Sequence, residues 1–381
     1  MKKKNMQFEP NAENFWDIFE EAKVEQQVET LLAVLDAGQM DHELAFEMMD
    51  EIEKSLSKST SGRAQYAELV WKIRDKAPEA YQHEAKYFHH DLIRFAIDDE
   101  RLGEIPGLLD IYRHEDDVDT YYQIIYELVY HGLHKILISV MVDSVVPIQK
   151  SPNLFDWAEE EFRAEIAKLM LWEYLETSPS PSAHDNDFLA ATKPYVDWKE
   201  GWLERYIPRL SGAAPSAWQT SDFAPEQGVE TLNLNLHNLL AEFVAEQHRA
   251  GIPYGRADMA WHGIAMALTQ KNGIGQVKQR NKKPAKQSIV KKFTLIPTFD
   301  TLDKTLSDFI PMLGGKPYHL AATVELLPAY LKFVVQVGLV SDVERLQAIK
   351  NLAKLPKNIP NILGYYESDE RCIANVLAVW K

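Results

Sequence analysis

From residue 14 onward the apolar positions recur at steps of three and four: Phe15, Ile18 and Phe19, then Val28, Leu31, Leu32 and Leu35, then Leu44, Phe46, Met48 and Ile52. This spacing lines up one stripe of an α-helix, whereas a half-buried strand would alternate every second residue. The run Asp36-Ala37-Gly38-Gln39-Met40-Asp41 interrupts the stripe with a glycine suited to a helix C-terminus and an aspartate suited to cap the next helix. The pattern predicts a helix hairpin, and it recurs. A break at 57–62 precedes Ala67, Val70, Trp71 and Ile73, and Pro78 opens a stripe of Tyr81, Tyr87, Phe88, Leu92, Phe95 and Ala96. A short helix follows with Pro106 in its first turn. Val118, Tyr121, Tyr122, Ile125, Leu128 and Val129 lead to Gly132, and the partner stripe runs from Leu133 through Val145 to a stop at Pro147. Nine of the fourteen residues 133–146 are apolar, so this helix is expected to lie sandwiched between neighbours.

Turns near Gly38, Leu102 and Gly132 give a degenerate repeat of roughly 31 to 32 residues, without tetratricopeptide signature residues. Residues 1–147 are therefore expected to form an α-solenoid-like array of helix hairpins. A middle helical region, 148–273, carries Trp198, Trp202 and Tyr206 four residues apart, the spacing of a packing seam. Residues 274–292 read as a basic linker and 293–381 as a C-terminal helical domain, in which Pro328 should kink one helix and Ser341 with Glu344 forms a capping box opening a helix over 341–355. The fold class predicted is all-α.

Charge singles out one stretch. No acidic residue lies between Asp258 and Asp300, where eight Lys or Arg fall; the whole chain carries −16, so the remainder sums to −24. Lys278, Arg280, Lys282, Lys283, Lys286, Lys291 and Lys292 are the candidate contacts for an anion or nucleic acid. Among residues 278–292 there is no aromatic residue and one arginine, which provides phosphate attraction without base reading. A solvated connection between two acidic bodies is the favoured reading.

The single cysteine, Cys372, leaves no intrachain disulfide and no thiolate cluster, and it falls in an apolar C-terminal stretch that reads as core. The N-terminal sequence is not a signal peptide and the most apolar helix is too short to span a bilayer, so a cytoplasmic location without a membrane partner is expected. Phosphate-binding, nucleophile-elbow and His-Glu-x-x-His motifs are missing. His131 and His134 with Glu127 lie one turn apart and would face a common cation in a continuous helix, but Gly132 argues for polar residues at a turn. His89-His90-Asp91 contains the His-Asp dipeptide of metal-dependent phosphohydrolases, for which His42 and His83 are the nominated upstream ligands. No catalytic residue, metal ligand or cofactor is assigned.

The turn Arg101-Leu102-Gly103-Glu104-Ile105-Pro106, the hairpin Tyr130-His131-Gly132-Leu133, the segment Gly251-Ile252-Pro253-Tyr254 and the run Ala322-Thr323-Val324-Glu325-Leu326-Leu327-Pro328-Ala329-Tyr330-Leu331-Lys332-Phe333 resemble a family of uncharacterised bacterial all-helical proteins with no assigned activity. The resemblance implies an all-helical fold and a bacterial cytosolic origin, and brings no site residues. Stacked helix pairs present extended faces to partners, which makes a noncatalytic protein-interaction or scaffold role the expectation. A nucleic-acid-associated role through residues 278–292 is the alternative, and a metal-dependent phosphohydrolase the remote one.

Overall fold

A computed structural model describes residues 14–151, 156–274, 293–310, 315–366 and 368–380. All regular structure among the described residues is helical, with no strand, as the apolar periodicity predicts. The chain divides into two compact units between Tyr112 and Arg113.

The first unit holds α1 (Phe15–Glu20), α2 (Val24–Asp36), α3 (His42–Leu56), α4 (Thr60–Lys76), α5 (Pro78–Asp98) and α6 (Ile105–Leu109). Its turns are the ones the sequence marks. Gly38 takes φ +67° after α2, a conformation that side chains resist, and the Asp41 carboxylate accepts the Leu44 amide at 2.9 Å to cap α3. Packing is serial: α2 meets α3 and α4, α3 meets α4 and α5, and α5 meets α6. Met48, Ile52, Tyr66, Ile73, Phe88 and Phe95 fill the centre, each at most 1% exposed; burying one such side chain is worth about 1.5–3 kcal/mol. The polar groups admitted to this core are matched. Tyr66 Oη donates to Asp91 Oδ2 at 2.5 Å, and Arg94 Nη2 reaches both Asp91 Oδ1 and Glu53 Oε1 at 2.8 Å.

The second unit holds α7 (Val118–Tyr130), α8 (His134–Gln149), α9 (Asp156–Thr177), α10 (Asn186–Thr192), α11 (Trp202–Leu210), α12 (Val229–Arg249), α13 (Tyr254–Asn272), α14 (Phe299–Asp308), α15 (Pro317–Gln336), α16 (Asp342–Leu352), α17 (Ile359–Tyr365) and α18 (Glu370–Ala378). At its centre α13 packs on α7, α9, α12, α14 and α15. Two glycines permit those approaches. A Cβ on Gly263 would overlap the Thr323 side chain of α15, and one on Gly255 would overlap Val129 of α7.

The hairpin array is expected to reach 147; the first compact unit ends at Tyr112, and α7 lies against α13 and α15 in the second. Regions 148–273 and 293–381 fall in one unit, since α13 and α15 share the same core. The side chain of Asn272 donates to Thr294 O at 3.0 Å and accepts from Thr294 N at 2.8 Å. Residues 272 and 294 therefore meet within this one unit. The basic segment between, residues 275–292, lies outside the described residues.

Local expectations fare unevenly. The Ser341–Glu344 capping box is present, with Glu344 N donating to Ser341 Oγ at 3.2 Å and Ser341 N to Glu344 Oε2 at 3.0 Å. Trp198, Trp202 and Tyr206 do form a seam, with ring centroids 5.2 and 4.7 Å apart, although α11 begins only at Trp202. α8 runs past Pro147 to Gln149 and packs on both α7 and α9, with Leu137 and Met141 buried and Val146 exposed. Among the described residues no helix is long and apolar enough to cross a membrane.

Candidate functional site

The α7–α8 hairpin carries His131 and His134, and its turn separates them. Gly132 sits at φ +74°, and the Leu133 amide reaches back to Leu128 O at 2.8 Å, a helix-ending wrap that reorients the chain before α8 begins. The two histidines consequently enter different surroundings, and the single face with Glu127 that a continuous helix would provide does not form.

His131 joins a closed buried network. Its Nε2 lies 2.9 Å from Asp369 Oδ2, which also accepts from Tyr318 Oη at 2.9 Å, while Asp369 Oδ1 accepts the Cys372 amide at 2.7 Å and so caps α18. Next to it, Tyr130 Oη donates to Glu325 Oε2 at 2.5 Å, and Arg256 donates to Glu325 Oε1 at 3.1 Å and to Tyr130 O at 2.9 Å. Burial would push the Asp369 carboxyl up, but the bonds from His131, Cys372 N and Tyr318 hold it below the usual carboxylate range. The phenols of Tyr130 and Tyr318 and the thiol of Cys372 are pushed well up by burial, so the thiol stays protonated at neutral pH. Each carboxylate oxygen here already accepts a hydrogen bond. The network braces α7, α13, α15 and α18 and offers no open acid, base or nucleophile.

His134 is the contrast. It is 1% exposed, and neither ring nitrogen has a hydrogen-bond partner. Its Nε2 stands 3.5 Å from Glu176 Oε2 and 3.6 Å from Glu173 Oε2, too long for hydrogen bonds to either. The two glutamates lie one turn apart near the end of α9, which packs on α8, and their side chains are 24% and 29% exposed. Burial lowers the His134 pKa against an opposing pull from Glu173, which favours the neutral ring; burial and the neighbouring Glu173 charge raise that of Glu176. Among the described residues this is the one group of three whose ligand-type atoms lie together, all within 4.8 Å of one another. An imidazole and two carboxylates, one face reachable from solvent, are a donor set for a divalent transition metal.

The remaining nominated residues sit elsewhere. Lys278, Arg280, Lys282, Lys283, Lys286, Lys291 and Lys292 lie outside the described residues. His89, in α5, holds Leu108 O at 2.8 Å and Tyr81 Oη at 2.7 Å, one with each ring nitrogen. Asp91 is bound by Tyr66 and Arg94, and the rings of His42 and His83 stack at 4.9 Å. These residues do not assemble into a ligand cluster. What the sequence reading missed is the pair Glu173 and Glu176. A signal for it existed: in an antiparallel hairpin the first turn of one helix faces the last turn of the other, which sets position 134 against 173–176.

Comparison of the chain with protein-family models, curated proteins and solved structures finds no match.

Proposed function

We propose that this is a noncatalytic cytoplasmic interaction or scaffold protein that binds another protein through its helical body. The observation that supports this reading best is the outer face of α16. Val343 and Leu346, one turn apart, are 78% and 54% exposed and form an apolar stripe open to solvent. Gln347, Lys350, Asn351 and Lys354 continue that face and, with Phe299, line an open groove of about 410 Å³. Apolar anchors beside lysines suit an amphipathic partner helix carrying acidic residues. Tyr365, Leu377 and Val379, on and beside α17 and α18, are also exposed, whereas Phe46 is the exposed large apolar side chain described in the first unit. This favours the C-terminal helices over the N-terminal array as the docking surface.

The second groove, about 330 Å³, supports a noncatalytic reading as well. Of its two carboxylates, Glu242 is occupied by the Ser216 amide and hydroxyl and by Trp218 Nε1 at 2.7–3.1 Å, and Glu246 pairs with Arg249 at 2.8 Å. The test is affinity capture from native lysate with the intact protein and with a folded Val343→Asp/Leu346→Asp variant. A discrete partner set retained by the intact protein and lost by the variant is expected. Identical capture by both, or none by the intact protein, would overturn the reading.

A further inference from the structure

We propose that His134, Glu173 and Glu176 form a binding site for one zinc-type divalent metal ion, separate from the docking surface on α16. A neutral imidazole buried with both nitrogens unpartnered is a costly feature of a core, because neither nitrogen regains the hydrogen bond it made in water. The side chain is only 2% exposed, so water does not reach it freely. Its Nε2 faces two carboxylate oxygens at 3.5 and 3.6 Å. Those separations are too long for hydrogen bonds and match the edge of a coordination tetrahedron: metal–ligand bonds of about 2.1 Å at tetrahedral angles put neighbouring ligand atoms roughly 3.4 Å apart.

Electrostatics favours the same occupant. Glu173 and Glu176 repel one another, and the Glu176 carboxyl is already raised by burial and by that neighbour. Lys135 Nζ reaches Glu173 Oε1 at 2.9 Å, but its side chain is 74% exposed and it leaves Glu173 Oε2 and Glu176 facing the ring. A dication between the three atoms relieves the carboxylate repulsion and gives His134 Nε2 a ligand bond in one step. Calcium and magnesium are poor candidates, since both prefer all-oxygen shells. One nitrogen with two oxygens suits zinc, cobalt or manganese, with zinc favoured by the tetrahedral spacing. Three protein ligands leave a fourth position for water on the side of the partly exposed glutamates.

The experiment uses full-length protein stripped with a chelator and titrated calorimetrically with zinc chloride. Cobalt chloride serves as a second probe, because tetrahedral cobalt absorbs visible light intensely. The expected result is one equivalent bound, a melting temperature that rises with zinc concentration, and a tetrahedral cobalt spectrum. Glu176→Gln and His134→Gln should each weaken binding by more than about a hundredfold, beyond the 10–100-fold typical of losing an outer-sphere partner. If His134→Gln fails to fold, Glu176→Gln decides, because its side chain is 29% exposed and the change is isosteric. Absence of binding by the wild type, or affinity retained in the Glu176 variant, would overturn the proposal.

Discussion

Asp91 and His134 are polar residues buried to a similar degree, 2% and 1% exposed, one in each unit, and their surroundings differ. Asp91 accepts from Tyr66 and from Arg94, which also binds Glu53, so α3, α4 and α5 meet on a matched group. His134 has two carboxylates near it and bonds to neither. The contrast extends beyond this pair. Among the described residues, His134, His319, Asn238, Thr305 and Ser368 each bury a side-chain atom without a partner, all in the second unit, and the first unit has none. A buried polar group is structural when its neighbours use up its bonding capacity. Where capacity remains, folding alone does not explain the residue, and a ligand becomes the economical explanation.

Four measurements would separate the two kinds of buried polar group. The largest is Asp91→Ala, which strands Arg94 and Tyr66; chemical denaturation should show a loss of about 3–5 kcal/mol. A loss under ~1 kcal/mol would mean that the first unit's matched core is not what holds it.

The second concerns pH. Burial lowers the pKa of His134, His237 and His248 and drops that of His319 well below its ordinary value. The unfolded chain then binds more protons below about pH 6.5, so the stability these groups contribute is present above that value and is lost as pH falls through 6.5 toward 5. Glu176 and Asp258, whose pKa values are raised, act in the opposite sense: they add stability at low pH that is lost as pH rises through their folded values. Thermal melts of metal-free protein between pH 7.5 and 5 should decline, and His319→Gln should flatten the slope. An unchanged slope would remove His319 from the account.

Third, metal-free His134→Leu should remain within about 1 kcal/mol of wild type or exceed it, since it removes an unmet polar group rather than a bond. A loss of the size expected for Asp91→Ala would show that the ring makes a bond that matters to the fold. Last, Thr305→Val, at a fully buried hydroxyl without a partner, should be neutral or stabilising by up to about 1 kcal/mol in the same assay.

Helices were legible in the sequence wherever apolar steps of three and four coincided with local punctuation, as at Gly38 with Asp41 and at Ser341 with Glu344. Such signals operate within one or two turns. The division at 112 was not legible, because what draws α7 into the second unit is remote: Tyr130 bonds Glu325, 195 residues away. Composition likewise marks 274–292 as a polar segment without showing that Asn272 and Thr294 meet on either side of it. For the site, His134 stands beside His131 in the sequence, and Gly132 argues against a continuous helix there, where the structure has a turn. Glu173 and Glu176 were invisible to spacing rules because they lie on the next helix.

Whether unmet bonding capacity at His134 marks a ligand site can be read from anomalous diffraction by crystals grown with zinc. A zinc-edge peak bonded to His134, Glu173 and Glu176 at about 2.0–2.2 Å is expected. A well-ordered site in which His134 instead hydrogen-bonds a glutamate, with no anomalous density between them, would contradict it.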